Sequence, residues 1–177
     1  MHFEKQLSSE KIFDGKVFRV TRDIVELEDG TQSFREVVHH HGGVCVAALD
    51  EQEQLYFVRQ YRYALGEEVL ELPAGKREQG EDPAACGLRE LEEECGCKAG
   101  KFRLLTTMYP TVGYCSEVIH IYLAEELTPC RQHLDEGEFL SVEKIPLKTA
   151  VDMVLRDEIP DAKTQLAILK IWAQKNK

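Results

Sequence analysis

The stretch that decides the fold covers residues 74–97 and reads AGKREQGEDPAACGLRELEEECGC. Asp82 can cap a helix whose first residue is Pro83, because proline has no N–H group to leave unpaired at that position. No further proline follows before Gly96, and a glycine there is typical of the end of a helix. The sequence therefore predicts a helix of about three turns over residues 83–95.

Three glutamates of this helix share one face, since Glu90, Glu93 and Glu94 stand at positions i, i+3 and i+4. Like charges at this spacing destabilise a bare helix by roughly 0.2–0.5 kcal/mol per pair. A divalent cation removes that repulsion, and clustered carboxylate oxygens suit magnesium or manganese. The apolar residues of the helix, among them Leu91, fall on another face, which we expect to pack into a core.

The order and spacing of the polar residues resemble the signature of the Nudix hydrolases. The signature positions are filled by Gly75, Glu81, Arg89, Glu90, Glu93, Glu94 and Gly96. The last signature position usually carries an aliphatic residue and carries Cys97 here, which behaves as a small hydrophobe when buried. The resemblance implies a metal-dependent hydrolase.

Length and charge restrict the class of protein. The chain has 177 residues, 43% of them hydrophobic, and a formal net charge of −10. This length suffices for one well-packed domain with a small appendage, and the acidity argues against nucleic acid or an anionic membrane surface as a partner. The sequence has neither an apolar run long enough to span a membrane nor the apolar core of a signal peptide. We therefore expect a cytoplasmic protein with its six cysteines reduced.

The start of the chain predicts a small antiparallel sheet. Residues 12–38 are rich in β-formers, and Asp29-Gly30 is a strong hairpin signal. About three such strands are too few to be stable alone, so either the main domain or a second subunit must cover them. Because Gly42-Gly43 interrupts the pattern, we divide the chain into a β-sheet subdomain, residues 1–42, and a hydrolase domain, residues 43–177.

The hydrolase domain is predicted to mix strands and helices. A continuous apolar run over residues 44–49 indicates a buried central strand. Further strands are predicted at residues 55–60, 69–72, 102–108, 117–124 and 139–142. Helical spacing on either side of Ile159-Pro160 predicts two C-terminal helices, over residues 147–157 and 161–173.

Beyond the signature, nearly the whole chain resembles the ADP-ribose pyrophosphatase branch of the family. The segments that carry this resemblance are REVV at 35–38 with His40 and Gly42, FVRQYR at 57–62, ELPAG at 71–75, YPTVG at 109–113 with Glu117, and DAKT at 161–164. The resemblance implies an α/β fold, the Nudix α/β/α sandwich with a mixed sheet between helices. It also implies a small N-terminal antiparallel β-sheet that is exchanged across a homodimer.

The resemblance also implies roles for individual residues. The expected ligands of Mg²⁺, for which Mn²⁺ can substitute, are the carbonyl of Ala74 and the carboxylates of Glu90, Glu93 and Glu94. The residues expected to shape the loop and helix are Gly75, Glu81, Arg89 and Gly96. We expect Arg89 to form an ion pair with Glu81 rather than to contact phosphate.

Substrate contacts are expected outside the signature. Arg35 and Arg62 are candidates for phosphate or ribose contacts, because guanidinium groups match phosphate oxygens, and a surface ion pair is the alternative for each. Glu117, in the downstream loop, is a third candidate. The aromatic candidates for stacking on the base are Phe18, Tyr61 and Tyr114.

Hydrolysis also needs a group that orients or deprotonates the attacking water. Glu93 is one candidate, and the acidic loop over residues 134–138 carries two more. Glu136 matches the family position best and Glu138 is the alternative, while a solvated loop without a catalytic role is the competing interpretation.

The implied function is Mg-dependent hydrolysis of the pyrophosphate bond of ADP-ribose or a related ADP-sugar, which yields AMP and a sugar phosphate. GDP-mannose or another nucleotide sugar is the alternative substrate, because base recognition depends on loop geometry. A nucleotide-binding sensor without turnover is a further alternative, which the complete signature disfavours. The expected partners are a small nucleoside diphosphate sugar and a second copy of the chain, with no nucleic acid and no membrane.

Overall fold

The computed structural model describes residues 2–176, which form two compact units. The first unit contains the chain up to Gly42 together with Tyr109–Val118, and the second contains the rest. The subdomain expected from the sequence, residues 1–42, thus lacked a segment that joins it from far along the chain. No helix among residues 2–176 is long and apolar enough to cross a membrane.

The first unit is built on an antiparallel sheet of three strands. These are β1 (Lys5–Asp14), β2 (Phe18–Glu26) and β3 (Gln32–His40), in the order β1-β2-β3. The predicted hairpin signal lies between β2 and β3, where Gly30 has a φ of 80°. Every residue of β1 is exposed, and only its last three residues lie in the segment 12–38 that was predicted to form strands.

Backbone hydrogen bonds join the segment Tyr109–Val118 to β3. The N–H of Val38 donates to the carbonyl of Tyr114 at 2.7 Å, and the N–H of Ser116 donates to the carbonyl of Val38 at 2.9 Å. Because this pairing is made by backbone groups rather than by side chains, no pattern of side chains in the sequence predicts it.

The second unit contains two sheets and three helices. Its strands are β4 (Gly43–Ala48), β5 (Gln54–Arg62), β6 (Glu67–Glu71), β7 (Ala74–Lys76), β8 (Cys97–Met108), β9 (Ile119–Pro129) and β10 (Leu140–Pro146). Its helices are α1 (Pro83–Cys95), α2 (Leu147–Leu155) and α3 (Ala162–Lys175). The sheets have the orders β7-β4-β9-β8 and β10-β5-β6. Because β4 and β9 run parallel and the other neighbours antiparallel, the first of these sheets is mixed.

The central strand β4 separates two layers of helices. All six of its residues are buried, and successive side chains of a strand point to opposite faces. Val46 and Ala48 pack with Leu91 of α1, whereas Cys45 and Ala47 pack in a cluster that includes residues of α2 and α3. The second unit is therefore an α/β/α sandwich, as the sequence predicts.

The predicted strands and helices of this unit are present, and the largest differences are in strand length. β8 begins at Cys97 rather than at residue 102, and β9 continues to Pro129 rather than ending at residue 124. These extra residues pair with one another, Cys97 opposite Pro129. Pairing extended both strands past the apolar runs from which they were predicted.

Candidate active site

The helix α1 is the platform of the site, and its ends form where the sequence predicts them. The carboxylate of Asp82 accepts the N–H groups of Ala84 and Ala85, each at 3.0 Å, and Pro83 is the first helical residue. Gly96 ends the helix in the left-handed conformation with a φ of 59°. These local signals fix the helix independently of the rest of the fold.

Two glutamates of α1 lie against the short strand β7. Glu94 is only 2% exposed, and its Oε2 accepts the N–H of Ala74 at 2.9 Å. The carboxylate of Glu90 lies where a side chain on Gly75 would begin, so any Cβ there would overlap it. A side chain on the first glycine of the signature would therefore displace the carboxylate of Glu90 from this position.

Both glutamates have perturbed ionisation. Burial raises the pKa of Glu90 to about 7, although Arg89 opposes this rise, and Glu93 adds to it. Burial raises the pKa of Glu94 to about 8, against a hydrogen bond from the backbone, and the charges of Glu90 and Glu138 add to it. In both cases the negative form is disfavoured, and a bound cation would favour it again.

Arg89 is the positively charged side chain that contacts this cluster. Its Nε lies 3.2 Å from an oxygen of Glu81, so the ion pair expected from the sequence is present. One of its Nη atoms lies 2.9 Å from Glu90 and 2.7 Å from Glu93. Burial lowers the pKa of Arg89, but these carboxylates outweigh burial and raise it. Arg89 therefore stays charged and ties the loop before α1 to the helix.

The expected metal ligands are only partly assembled. Among residues 2–176 no three acidic, histidine or cysteine side chains are gathered as they would be around one ion. Glu93 turns towards Arg89, and Glu94 is held by the N–H of Ala74. The donor set nevertheless fits a hard divalent cation, because it consists of oxygens and includes two half-buried or buried carboxylates in need of positive charge.

The segment that follows β9 covers the C-terminal end of α1. The Nε2 of Gln132 donates to the carbonyl of Glu94 at 2.6 Å, and the N–H of His133 donates to the carbonyl of Glu93 at 3.2 Å. The last carbonyls of a helix have no partner within it, so these two bonds satisfy groups that otherwise need water. Sequence reasoning missed Gln132, since its partner is a backbone atom far away in the chain.

Gly96 allows this segment to come close. The N–H of Cys130 donates to the carbonyl of Gly96 at 2.7 Å, and a Cβ at position 96 would lie 2.9 Å from the carbonyl oxygen of Cys130. The last glycine of the signature thus serves both the helix end and the contact with the segment that leads to the acidic loop.

The acidic loop over residues 134–138 approaches the glutamates of α1 through Glu138. The Nε2 of Gln60, on β5, donates to Glu138 at 3.0 Å. The charge of Glu138 adds to the raised pKa of both Glu90 and Glu94. In this structure Glu138 is therefore the loop carboxylate that faces the expected metal ligands.

Glu136, the first choice from the sequence, is exposed instead. The loop makes a turn in which the N–H of Glu138 donates to the carbonyl of Asp135 at 3.0 Å and Gly137 has a φ of 82°. Glu136 stands at a central position of this turn, between Asp135 and Gly137, where a residue is exposed to solvent. Spacing along the chain could not distinguish the two positions.

The candidate substrate residue of the second unit, Arg62, is held by a buried carboxylate. Its Nε donates to an oxygen of Glu71 at 2.5 Å. The aromatic candidates for stacking, Phe18, Tyr61 and Tyr114, are all exposed.

The two candidates of the first unit also have protein partners. Arg35 forms an ion pair with Glu4 at the start of the chain. An oxygen of Glu117 lies 3.3 Å from the Nδ1 of His40, and the same nitrogen accepts the N–H of Gly42 at 3.0 Å. Arg35 is thus oriented by its partner, whereas a nitrogen of His40 that accepts the N–H of Gly42 has no proton to donate to Glu117.

An α/β/α unit whose glutamate-rich helix is anchored by glycines beside a short strand has the architecture of a Nudix domain. The model of the NUDIX domain family matches residues 39–166, and the model described as nucleoside diphosphate sugar hydrolase N-terminal domain matches residues 4–38. The chain therefore belongs to the Nudix family, as the signature in residues 74–97 predicts.

Individual relatives are similar over nearly the whole chain. An ADP-ribose pyrophosphatase of Bacillus subtilis (strain 168) is 42% identical over 93% of this chain and 90% of its own. A methanol dehydrogenase activator of Bacillus methanolicus is 38% identical over 97% of this chain and 94% of its own. A crystal structure described as ADP compounds hydrolase has a TM-score of 0.86 at 21% identity and covers 99% of this chain and 97% of that chain. This likeness confirms the predicted fold.

Proposed function

We propose that the protein hydrolyses the pyrophosphate bond of ADP-ribose or a related ADP-sugar and releases AMP and a sugar phosphate. The observation that carries this proposal is the pair Glu90 and Glu94 beside β7, where the half-buried carboxylate of Glu90 lies against Gly75 and the buried Glu94 accepts the N–H of Ala74. Carboxylates placed in this way favour a divalent cation. Nucleoside diphosphate sugars carry the phosphate oxygens that such a cation binds.

The proposed Mg²⁺ ligands are the carbonyl of Ala74 and the carboxylates of Glu90, Glu93 and Glu94, and Mn²⁺ can substitute. A cation held by these oxygens would supply positive charge against the negative charge of the pyrophosphate and would make water more acidic. Glu93 is held by Arg89 at 2.7 Å, so it must leave this partner to contribute. Arg89 keeps its partner Glu81 in that exchange, which preserves the link between the loop and the helix.

The loop over residues 134–138 supplies the group that orients the attacking water. Water adds to one phosphorus, the bridging P–O bond breaks, and the proton of the water must be accepted by a nearby base. The contact between Gln60 and Glu138 supports Glu138 in this role, while the family resemblance supports Glu136. A loop can also move when substrate binds, so the two glutamates are separated by the variants described in the Discussion.

Substrate contacts are assigned to Arg35, Arg62 and Glu117. The guanidinium groups offer paired N–H donors that match phosphate and ribose oxygens. Arg62 is engaged by Glu71 at Nε, and a side chain held in this way loses little further freedom when a ligand binds. All three guanidinium nitrogens of Arg35 have partners, namely Glu4, Ser33 and the carbonyl of Phe34, so Arg35 must exchange a partner for the ligand.

We infer that the functional form is a homodimer. One groove of the first unit is lined by apolar side chains that are largely exposed, among them Ile12, Phe34 and Tyr114. A three-stranded sheet whose apolar side chains remain exposed to water is only marginally stable. A second copy of the same unit would bury them by a self-complementary contact.

We also infer a cytoplasmic location. All six cysteines are free thiols in the structure, which suits a reducing compartment. Fractionation of cells that express the full chain tests this inference.

The proposed activity is tested with a panel of nucleoside diphosphate sugars, including ADP-ribose and GDP-mannose, in the presence of magnesium. Release of phosphatase-sensitive products from ADP-ribose, and its loss when a chelator is added in excess, is the expected result. Full activity in excess chelator would contradict metal dependence. If kcat/KM is larger for GDP-mannose than for every ADP-sugar, GDP-mannose takes the place of ADP-ribose as the proposed substrate.

A further inference from the structure

A buried carboxylate in the second unit bridges two cations. Glu71 lies at the end of β6, and its side chain is 4% exposed. Its Oε1 accepts the Nε of Arg62 at 2.5 Å, and its Oε2 accepts the Nζ of Lys163 at 2.6 Å. Burial raises the pKa of Glu71, but the two cations outweigh burial and lower it. Glu71 is therefore ionised, with one oxygen committed to each partner.

Lys163 is itself fixed at the first turn of α3. Its side chain is 12% exposed, and its Nζ lies 2.9 Å from the carboxylate of Asp161 as well. The same carboxylate caps the helix by accepting the N–H of Thr164 at 3.1 Å. The hydroxyl of Thr164 in turn accepts the N–H of Leu72 at 2.9 Å. The C-terminal helix and the residues at the end of β6 are thus locked together around Lys163.

Arg62 is engaged at one nitrogen only. Beyond the bond from its Nε to Glu71, no side-chain hydrogen bond or ion pair of Arg62 exists among residues 2–176. Its side chain is 38% exposed, so the two Nη groups are free donors. Arg62 stands two residues after Gln60 on β5, so the two side chains share one face of the strand, and Gln60 contacts Glu138 of the acidic loop.

The arrangement is unusual for an arginine next to a carboxylate. A free carboxylate and a guanidinium tend to form two parallel hydrogen bonds, which would use Nε and one Nη of Arg62. Lys163 prevents this here, because it occupies the second oxygen of Glu71. A buried ion network of this kind adds little net stability compared with apolar side chains of equal size. Its effect is instead on the orientation of Arg62.

We infer that Glu71 and Lys163 are positioning residues that hold Arg62 with both Nη groups available to the phosphate oxygens of a nucleoside diphosphate. The inference rests on the proposed function for the assignment of Arg62 to phosphate. Glu71 fixes the guanidinium through Nε. Lys163 keeps Glu71 from drawing an Nη group away from the ligand.

The test measures binding of methylenediphosphonate, a diphosphate analogue that resists hydrolysis, with magnesium by titration calorimetry. Arg62→Ala should weaken binding by about tenfold to a hundredfold, as expected for a lost hydrogen bond to a charged group. Lys163→Met should weaken it by about threefold to tenfold, part of that loss. The double variant should bind like Arg62→Ala alone, because Lys163 acts through Arg62. Unchanged binding by Lys163→Met, or full additivity in the double variant, overturns the inference.

A matched control is offered by Arg59, which lies on β5 as Arg62 does. Arg59 forms an ion pair through its Nε with Glu143 at 2.6 Å, so Glu143→Gln removes a similar bond from β5. It should leave methylenediphosphonate binding unchanged. If Glu143→Gln weakens binding as much as Lys163→Met does, the effect of the latter is a general one on the fold and the inference fails.

Two further measurements separate this inference from a loss of folding and from the proposed function. If Lys163→Met does not fold by circular dichroism, Glu71→Gln takes its place, and it should also weaken binding in a manner that depends on Arg62. With ADP-ribose, the variants should raise KM more than they lower kcat. If the wild type hydrolyses no nucleotide sugar but the binding pattern holds, the proposed function fails and the positioning stands. If the wild type does not bind methylenediphosphonate, the positioning role is wrong.

Discussion

The two units of the molecule keep their apolar residues in different places. Every residue of β4 in the second unit is buried, whereas every residue of β1 in the first unit is exposed. The buried side chains of the first unit include a charged one, Asp23, which accepts hydrogen bonds from Ser9 at 2.6 Å and Gln6 at 2.9 Å. The second unit thus has an apolar core of its own, while the first leaves apolar side chains uncovered. We therefore expect changes in the second unit to alter catalysis and stability, and changes of the exposed apolar residues on the first unit to alter assembly.

The largest effect is expected at the buried glutamates of α1. Glu94→Gln should lower kcat/KM for ADP-ribose by about a thousandfold with the fold intact, since metal binding supplies several kcal/mol of charge stabilisation. Glu93→Gln should also lower turnover by orders of magnitude. The comparison is Glu92→Gln on the same helix, a residue outside the signature that pairs with Lys98 at 3.4 Å. Near-normal turnover in both Glu93→Gln and Glu94→Gln would mean that the metal site is elsewhere.

The next largest effect is expected in the loop over residues 134–138. Replacing the loop glutamate that orients water by glutamine should lower kcat by about a hundredfold. KM should change little, because the lost interaction belongs to the transition state. Kinetics of Glu136→Gln and Glu138→Gln, measured in parallel, assign the role. The contact with Gln60 leads us to expect the loss in Glu138→Gln. A loss of only a few-fold in both variants would place the base within the signature.

A smaller effect, on assembly, is expected from a point substitution on the first unit. Phe34→Asp should weaken the homodimer by about thirtyfold, the effect of a central interface residue, because a carboxylate cannot be buried without a partner. Light scattering over a range of micromolar concentrations measures it. Phe139→Asp, at an exposed position of the second unit, should leave the dimer unchanged. Deleting the chain up to Val38 should abolish dimerisation and weaken substrate binding together. A wild-type protein that is monomeric at micromolar concentration would falsify the assignment.

The smallest effect is expected at the start of α1. Asp82→Ala removes the acceptor of two N–H groups and should lower the free energy of unfolding by about 1 kcal/mol. This corresponds to a fall in Tm of about 2–4 °C, measurable by calorimetry. Asp152→Ala, at an exposed position of α2 with no side-chain hydrogen bond among the described residues, should change Tm by less. Equal shifts would show that the cap contributes nothing specific.

The sequence predicted those parts of the fold that depend on near neighbours. The bounds of α1 follow from Asp82, Pro83 and Gly96, which act within one turn of the helix. The buried strand β4 follows from a continuous apolar run. Only the last three residues of strand β1 were predicted, because its polar sequence KQLSSEKIFD is stabilised by pairing with β2 rather than by burial.

The site was predicted in its residue types better than in its contacts. The signature identified Glu90 and Glu94, but not that Glu94 is held by a backbone N–H of β7. Neither Gln132 nor Lys163 was singled out, since their partners are brought close only by the tertiary fold. The choice between Glu136 and Glu138 depends on one turn, whose direction the spacing of acidic residues does not contain.

The hydrogen bonds from Gln132 and His133 to the end of α1 attach the segment that leads into the acidic loop to the helix. The loop is thereby attached to the carbonyls of Glu93 and Glu94, the residues expected to bind metal, and we expect a movement of the loop towards a ligand to change these two bonds. The amide proton of His133 is therefore a built-in reporter. Its exchange with solvent and its resonance frequency register the position of the loop without any label attached to the protein.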